Sequence, residues 1–162
     1  MGAERYDLIV IGGGINGAAI ARDAAMRGKS VLLLEKDDYG CGASNKSSKM
    51  VHGGVRYLEL FQFHLVKECL YERSLLLKNA SNLVKPMPFI FPVYKGDIRP
   101  LWKIKLGMWL YDFLKGRDQL PKHINMSVGD IIERVPTLKQ EGLEGGCFYY
   151  DAVMQDNRLV IE

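Results

Sequence analysis

The chain has little cysteine, little histidine and no long apolar run, and each shortage closes off a class of protein. Only three cysteines, Cys41, Cys69 and Cys147, occur in 162 residues, widely spaced and with no CxxC. A disulfide framework and a zinc site are both disfavoured, and a reducing compartment is expected. No apolar stretch reaches the roughly 18 residues that a spanning helix needs. Lys plus Arg number 22 and Asp plus Glu 19, a net charge of +3, so neither sign dominates and charge makes no case for nucleic acid. Glu4, Arg5 and Asp7 precede the first apolar run, which reads as a strand, and a signal peptide is not expected. No repeat is found. What is present is an ordinary globular balance, 48% hydrophobic and 25% charged, with 17 glycines. At about 100–200 residues per domain, the length allows one domain, or one domain plus a piece of another.

The first thirty-five residues carry the clearest pattern. Tyr6 to Ile11 reads YDLIVI, a short run of β-formers suited to a strand buried on both faces of a parallel sheet. It passes directly into Gly12-Gly13-Gly14-Ile15-Asn16-Gly17, which satisfies GxGxxG. A small-residue helix through Met26 follows, closed by Arg27-Gly28 with Gly28 at C′. Ser30 to Leu34 reads as a second buried strand and ends at Glu35. In such a unit Gly12 allows the tight turn, Gly14 lets the backbone approach a pyrophosphate, and Gly17 lets the helix pack on the strand. The phosphates then lie at the helix N-terminus, where free N–H groups and the dipole favour negative charge. Glu35, eighteen residues after Gly17, is placed to accept hydrogen bonds from both ribose hydroxyls of an adenosine. An acid there argues against a 2′-phosphate and leaves NAD and FAD open.

Residues 37–59 bear on that choice. They read DDYGCGASNKSSKMVHGGVRYLE, a polar, glycine-punctuated stretch where a nicotinamide dehydrogenase would continue into further βα units. The hydroxyls of Ser44, Ser47 and Ser48, with Lys49, suit a second set of contacts to a pyrophosphate or ribityl chain; helix capping is the structural alternative for the serines. Gly53 and Gly54 suit a backbone passing against a flat ring.

IGGGINGAAIARDAAMRG, then Glu35, then SSKMVHGGVRYLE, resembles the FAD-dependent glycerol-3-phosphate dehydrogenase family. The likeness runs on through VKECLYERSLLL, PMPFIFPVY, IRPLWKIKLGMWLYDFL and GGCFYYDAVMQDNRLV, in the same order and over nearly the whole chain. It departs at Ala19, where the family usually has glycine, and at Gln155, where an acid or Asn is more usual. The resemblance implies a Rossmann-like α/β fold of the glutathione-reductase/D-amino-acid-oxidase type, with the start of a mixed-sheet substrate (cap) domain. It implies FAD as cofactor, held by Gly12, Gly14, Gly17, Glu35, Ser44, Ser47, Ser48, Lys49 and Gly54, and no metal. It implies oxidation of sn-glycerol 3-phosphate to dihydroxyacetone phosphate, with electrons passed to a quinone. The implied setting is cytoplasmic, at the inner face of the cell membrane, with a homodimer as a further expectation. The alternatives are a glycerol-3-phosphate oxidase using oxygen, or a truncated nucleotide-binding fragment without activity.

For such a substrate three residues stand out as catalytic. His52 is suited to taking the hydroxyl proton, since the ordinary histidine pKa of about 6.5 lies near neutrality; the alternative is that it only hydrogen-bonds cofactor or backbone. Arg56 offers a bidentate fork for the substrate phosphate, the alternative being an ion pair with Glu59 three residues on. Tyr57 divides between a hydrogen bond to substrate and packing.

The chain divides, on this reading, into a cofactor part over 1–80, a substrate segment over 81–151 and the start of a helix over 152–162. Phe63–Ala80 reads as an amphipathic helix with Leu65, Val66, Cys69, Leu70, Leu76 and Leu77 on its apolar face and Arg73 on the polar side. Pro86, Pro88 and Pro92 bracket a short edge strand. Pro100 is expected at N1 of a helix over Leu101–Leu114. That helix is apolar on much of its circumference and is expected to be buried, an interfacial membrane helix being the other reading. Ser127 to Asp130 resembles a capping box, Cys147–Tyr150 a strand, and Asp156 an N-cap. The chain ends little more than a turn later, which reads as an N-terminal fragment.

Overall fold

The fold comes from a computed structural model that describes residues 5–116 and 120–162; Glu4 lies outside them. The chain forms two compact units, one of Met1–Met50 with Met154–Glu162 and one of Val51–Val153. The division therefore falls within the stretch that the sequence groups as 1–80, and α2 (Phe63–Asn79) belongs to the second unit.

The first unit is a βαβ. Strand β1 (Leu8–Ile11) lies parallel to β2 (Val31–Leu34), Leu8 opposite Val31 and Ile11 opposite Leu34, with helix α1 (Ile15–Met26) between them in the chain. The two strand entrances are tied together: the Ser30 amide and hydroxyl donate to Asp7 Oδ2 at 2.9 and 3.0 Å. Arg27 caps α1 and Gly28 follows at φ 75°, the left-handed C′ position that glycine fills without strain. Helix α5 (Asp156–Ile161) packs on α1 and on the turn Ala43–Asn45. Its N-cap is Gln155, not Asp156 as expected, a shift of one residue.

The expectation of strands buried on both faces is corrected. Val10 is buried, whereas Ile9 is 57% and Ile11 86% exposed, and Leu34 is also exposed. Among the described residues the sheet has two strands, and a two-stranded sheet has no central strand to cover. The run of β-formers reads the sheet type correctly and its coverage wrongly.

The second unit mixes helices with a sheet. Its strands are β3 (Met50–Val51), β6 (Leu143–Met154) and β4 (Val84–Tyr94) in that order, with β5 (Ile124–Met126) antiparallel to β6. β4 lies at an edge, where its prolines cost no central ladder bonds, and is longer than the short strand expected; so is β6. Helix α3 (Leu101–Lys115) has Pro100 at its N-cap, with ψ 154°, instead of N1. Helix α4 (Val128–Arg134) opens on the expected capping box: the Asp130 amide donates to Ser127 Oγ at 3.2 Å and the Ser127 amide donates to Asp130 Oδ2 at 2.8 Å.

One core of this unit joins Leu58, Val66, Leu70, Met108, Tyr111 and Cys147, so α2, α3 and β6 share it. Helix α3 is not the buried helix expected. Ile104, Met108 and Tyr111 face that core, while Trp102, Leu106, Trp109 and Phe113 lie exposed, Trp102 at 67% and Phe113 at 71%. Positions 102, 106, 109 and 113 repeat at helical spacing, so the helix carries two apolar stripes and the fold buries one. In α2 the buried stripe is Val66, Leu70, Arg73 and Leu77. Arg73 therefore belongs to the inner face, not the polar side, and Leu65 is exposed.

Candidate functional site

The glycine turn of the first unit is shaped by contacts within it. Gly12 sits at φ 106°, a region closed to most side chains. A Cβ on Gly17 would collide with the Gly12 carbonyl oxygen and stand 3.5 Å from Val10 Cγ1, so only glycine lets α1 start this close to β1. Gly14 is the N-cap, and its nearest neighbour in the Cβ direction is Ser44 Oγ at 3.2 Å. First-turn amides of a helix have no intrahelical acceptor. The Ile15 amide donates to Ser44 Oγ at 3.0 Å; those of Asn16 and Gly17 have no partner among the described residues. Ser44 thus caps the helix from a loop 29 residues away.

Glu35 is held against this turn. The Gly13 amide donates to its Oε2 at 2.6 Å and the Asp37 amide to its Oε1 at 3.0 Å. Those two backbone bonds, Gly13 first, hold its carboxyl below the usual range. Each oxygen keeps a lone pair beyond that bond, which a pair of vicinal hydroxyls can use.

The serine-lysine loop is fixed by the other end of the unit. Ser47 Oγ donates to Asp156 Oδ2 at 2.8 Å and accepts from the Lys49 amide at 2.9 Å. That hydroxyl bond, the largest of several, lowers the Asp156 pKa. Lys49 takes φ 60°, and its carbonyl accepts from the Met154 amide at 2.8 Å. Ser48 and the Lys49 side chain are exposed.

In the second unit His52 and Arg56 are exposed and Tyr57 is half-buried. Between them Gly53 and Gly54 are buried, and protein accounts for both: a Gly53 Cβ would collide with the Tyr111 hydroxyl and Leu70, and a Gly54 Cβ would stand 2.6 Å from the Tyr57 ring. Gly54, at φ 72°, starts the 3-10 turn Val55–Leu60. Glu59 is not available to Arg56. It accepts a bidentate pair from Arg99 at 2.6 and 2.7 Å, with Lys103 3.5 Å away. Arg56 lies on a groove of about 600 Å³ whose apolar lining includes Leu58, Ile104, Met108 and Leu110. Of the other histidines, His64 is exposed on α2, and His123 is engaged through Nδ1, 2.7 Å from Asp112 Oδ2.

The sequence reading missed the buried polar cluster of this unit. Arg73 and Asp151 form an ion pair with side chains 0% and 2% exposed. Tyr111 donates to Asp151 Oδ1 at 3.0 Å, and the Gly53 amide donates to the same oxygen at 3.1 Å. The available signal was periodicity: Arg73 stands where the 66/70/77 stripe requires an inward residue. Among the described residues no cluster of His, Cys, Asp and Glu could hold a metal, and no helix is long and apolar enough to cross a membrane.

The family model for FAD dependent oxidoreductases matches residues 7–162. The D-erythritol 1-phosphate dehydrogenase of Brucella abortus is 48% identical over 157 residues, 97% of this chain and 31% of that protein. The aerobic glycerol-3-phosphate dehydrogenase of Escherichia coli is 47% identical over 158 residues, 98% of this chain and 30% of that protein. A crystal structure of the glycerol-3-phosphate dehydrogenase from Bacillus halodurans complexed with FAD superposes with a TM-score of 0.68 at 28% identity, over 98% of this chain and 23% of that one. The chain thus spans under a third of the length of each of these three relatives.

Proposed function

This chain belongs to the FAD dependent oxidoreductase family, and from that premise we propose that it is the cofactor-gripping and substrate-binding start of an FAD-dependent sn-glycerol-3-phosphate dehydrogenase. The observation that carries the proposal is the pairing of Glu35 with the glycine turn. One carboxylate is fixed by the Gly13 amide beside a helix whose first-turn amides at Asn16 and Gly17 have no partner among the described residues. A dinucleotide needs that pair of features, an acceptor for ribose hydroxyls and a donor set for pyrophosphate. The residues present therefore fit FAD.

In this reading Glu35 binds the adenosine ribose and Gly12, Gly14 and Gly17 shape the pyrophosphate seat. Ser44, Ser47, Ser48 and Lys49 supply further polar contacts, and Gly54 lets the backbone run close to the cofactor. The chemistry that FAD would supply there when bound is acceptance of a hydride from the substrate C2 carbon. Arg56 holds the substrate phosphate, which is supported by its exposure and by Glu59 being engaged elsewhere. Tyr57 hydrogen-bonds the substrate, and His52 takes the C2 hydroxyl proton. The exposed stripe Trp102, Leu106, Trp109 and Phe113, with Lys103 beside it, supports contact with a membrane surface, where a quinone would receive the electrons. Oxygen as acceptor has less support, since the relatives at 47–48% identity are named dehydrogenases.

The 48% relative named for D-erythritol 1-phosphate favours a second reading of the substrate. Both compounds present a secondary alcohol near a phosphate, so the same Arg56 and His52 serve either. Anaerobic addition of each phosphate to the flavin-loaded protein separates them: bleaching of the flavin absorbance by sn-glycerol 3-phosphate at lower concentration is the expected result. Bleaching by D-erythritol 1-phosphate alone assigns the second substrate. A purified protein with no flavin absorbance, and none after incubation with FAD, overturns the proposal.

A further inference from the structure

We propose that Asp151 is a positioning residue for the substrate side of this site: one buried carboxylate oxygen fixes the backbone that carries His52 and Arg56, and Arg73 and Tyr111 fix that oxygen. The inference rests on the roles given above to His52 and Arg56. Three segments far apart in sequence end on Asp151 Oδ1, which lies in β6. The Gly53 amide donates to it at 3.1 Å, the Tyr111 hydroxyl of α3 at 3.0 Å, and Arg73 Nη1 of α2 more closely still. Arg73 Nη1 also donates to the Tyr111 oxygen at 3.1 Å and reaches the Tyr150 carbonyl at 3.4 Å. A carboxylate held by several donors away from water is stiff, because no solvent competes for its lone pairs.

The network lies against the site segment itself. Gly53 has no space for a side chain, since a Cβ would overlap the Tyr111 hydroxyl and Leu70. The Tyr111 hydroxyl keeps its proton at every working pH, burial first and the Asp151 charge second raising its pKa, so it remains a donor. His52 and Arg56, by contrast, are exposed and make no side-chain hydrogen bond or ion pair among the described residues. Their placement is therefore set by backbone. The Gly53 amide anchors the residue next to His52, and Gly54 opens the turn that carries Arg56. Misplacing a reacting group by about 1 Å can cost on the order of 10²-fold in rate, so an anchor one residue away governs more than stability. Asp151 acts only through this backbone; it is 1% exposed.

Tyr111→Phe removes one donor from the oxygen at nearly constant volume, and Asp151→Asn removes its charge. In the FAD-loaded protein each is expected to lower kcat per bound flavin by at least about tenfold, part of the loss that misplacement brings, and to raise KM for sn-glycerol 3-phosphate. Tyr94→Phe, which removes a hydroxyl bonded to the Lys139 carbonyl, is the control and is expected to leave kcat per bound flavin unchanged. Exchange of the Gly53 amide, followed by NMR, is expected to quicken in Tyr111→Phe, with displaced backbone amide signals at His52 and Arg56. Unchanged kcat per bound flavin alongside faster exchange overturns the positioning role and leaves a stabilising one. Unchanged Gly53 exchange overturns the anchor. If Asp151→Asn does not fold, Tyr111→Phe decides alone. A wild-type protein that oxidises no polyol phosphate refutes the function reading instead, and undisplaced His52 and Arg56 amide signals in Tyr111→Phe then overturn the inference.

Discussion

In the unit of residues Met1–Met50 and Met154–Glu162, the groups proposed to meet a ligand are mostly main-chain: the amides at the start of α1 and the Gly13 amide that grips Glu35. In Val51–Val153 the proposed groups are side chains, the exposed His52 and Arg56, and the positioning proposal gives them their footing on a buried ion pair. A backbone site needs close approach, so its vulnerable positions are glycines, where any side chain intrudes. A side-chain site needs fixed orientation, so its vulnerable positions are buried polar residues that touch no ligand. The first kind is encoded within thirty residues of chain. The second is spread from Arg73 to Asp151.

The largest effect should fall on the buried pair. Arg73→Met leaves the buried Asp151 carboxylate without its cation, and breaking such a pair costs about 3–5 kcal/mol. Chemical denaturation should show the loss, and Arg73→Met with Asp151→Leu should recover part of it. If the single variant melts like wild type, the contrast between the units is broken, because the second would not then depend on its polar core.

Gly17→Val tests the other side of the contrast. The new side chain meets the Gly12 carbonyl, and overpacking of this kind costs about 1–3 kcal/mol, with loss of flavin from the purified protein as the direct readout. Glu35→Ala should be milder in stability and visible in affinity, weakening FAD binding by at least about tenfold, or about 1.4 kcal/mol of binding, in a fluorescence titration. An unchanged affinity would remove Glu35 from the site. Ser127→Ala, at a capping box that includes no residue assigned to either site, should cost about 1 kcal/mol in a thermal melt and leave flavin content untouched.

The smallest effect concerns acid. The Ser47 hydroxyl lowers the folded-state pKa of Asp156. A lowered carboxyl contributes stability above its unfolded value, about 3.9, and loses it as pH falls through the folded value. Amide exchange across residues 44–49 should therefore quicken in wild type only below about pH 4, and Asp156→Asn should show that faster exchange already at neutral pH.

How far the sequence could be read differs between the units for the same reason. GxGxxG, the helix that follows it, Gly28 past its end and Glu35 past β2 are local features, each enforced by residues within a few positions, and all stand where the pattern puts them. The extent of α2 and the Ser127–Asp130 box were equally legible. The inward turn of Arg73 was not, because a polar residue in an apolar stripe is read as outward unless its partner is known, and the partner lies 78 residues away. Nor was the bond between Ser47 and Asp156, 109 residues apart.

The sequence by itself determined the βαβ turn, its glycines and the acid just past β2, because short-range sterics and helix-end hydrogen bonding leave one way to build them. It also carried the likeness to glycerol-3-phosphate dehydrogenases, which is a matter of residue order. Only the tertiary structure decided which stripe of α3 is buried, that Glu59 goes to Arg99 instead of Arg56, and that Asp151 meets the Gly53 amide. Those outcomes depend on which distant side chains arrive at the same place, and burial makes such meetings obligatory: a polar group removed from water must find its partner wherever the fold has put it.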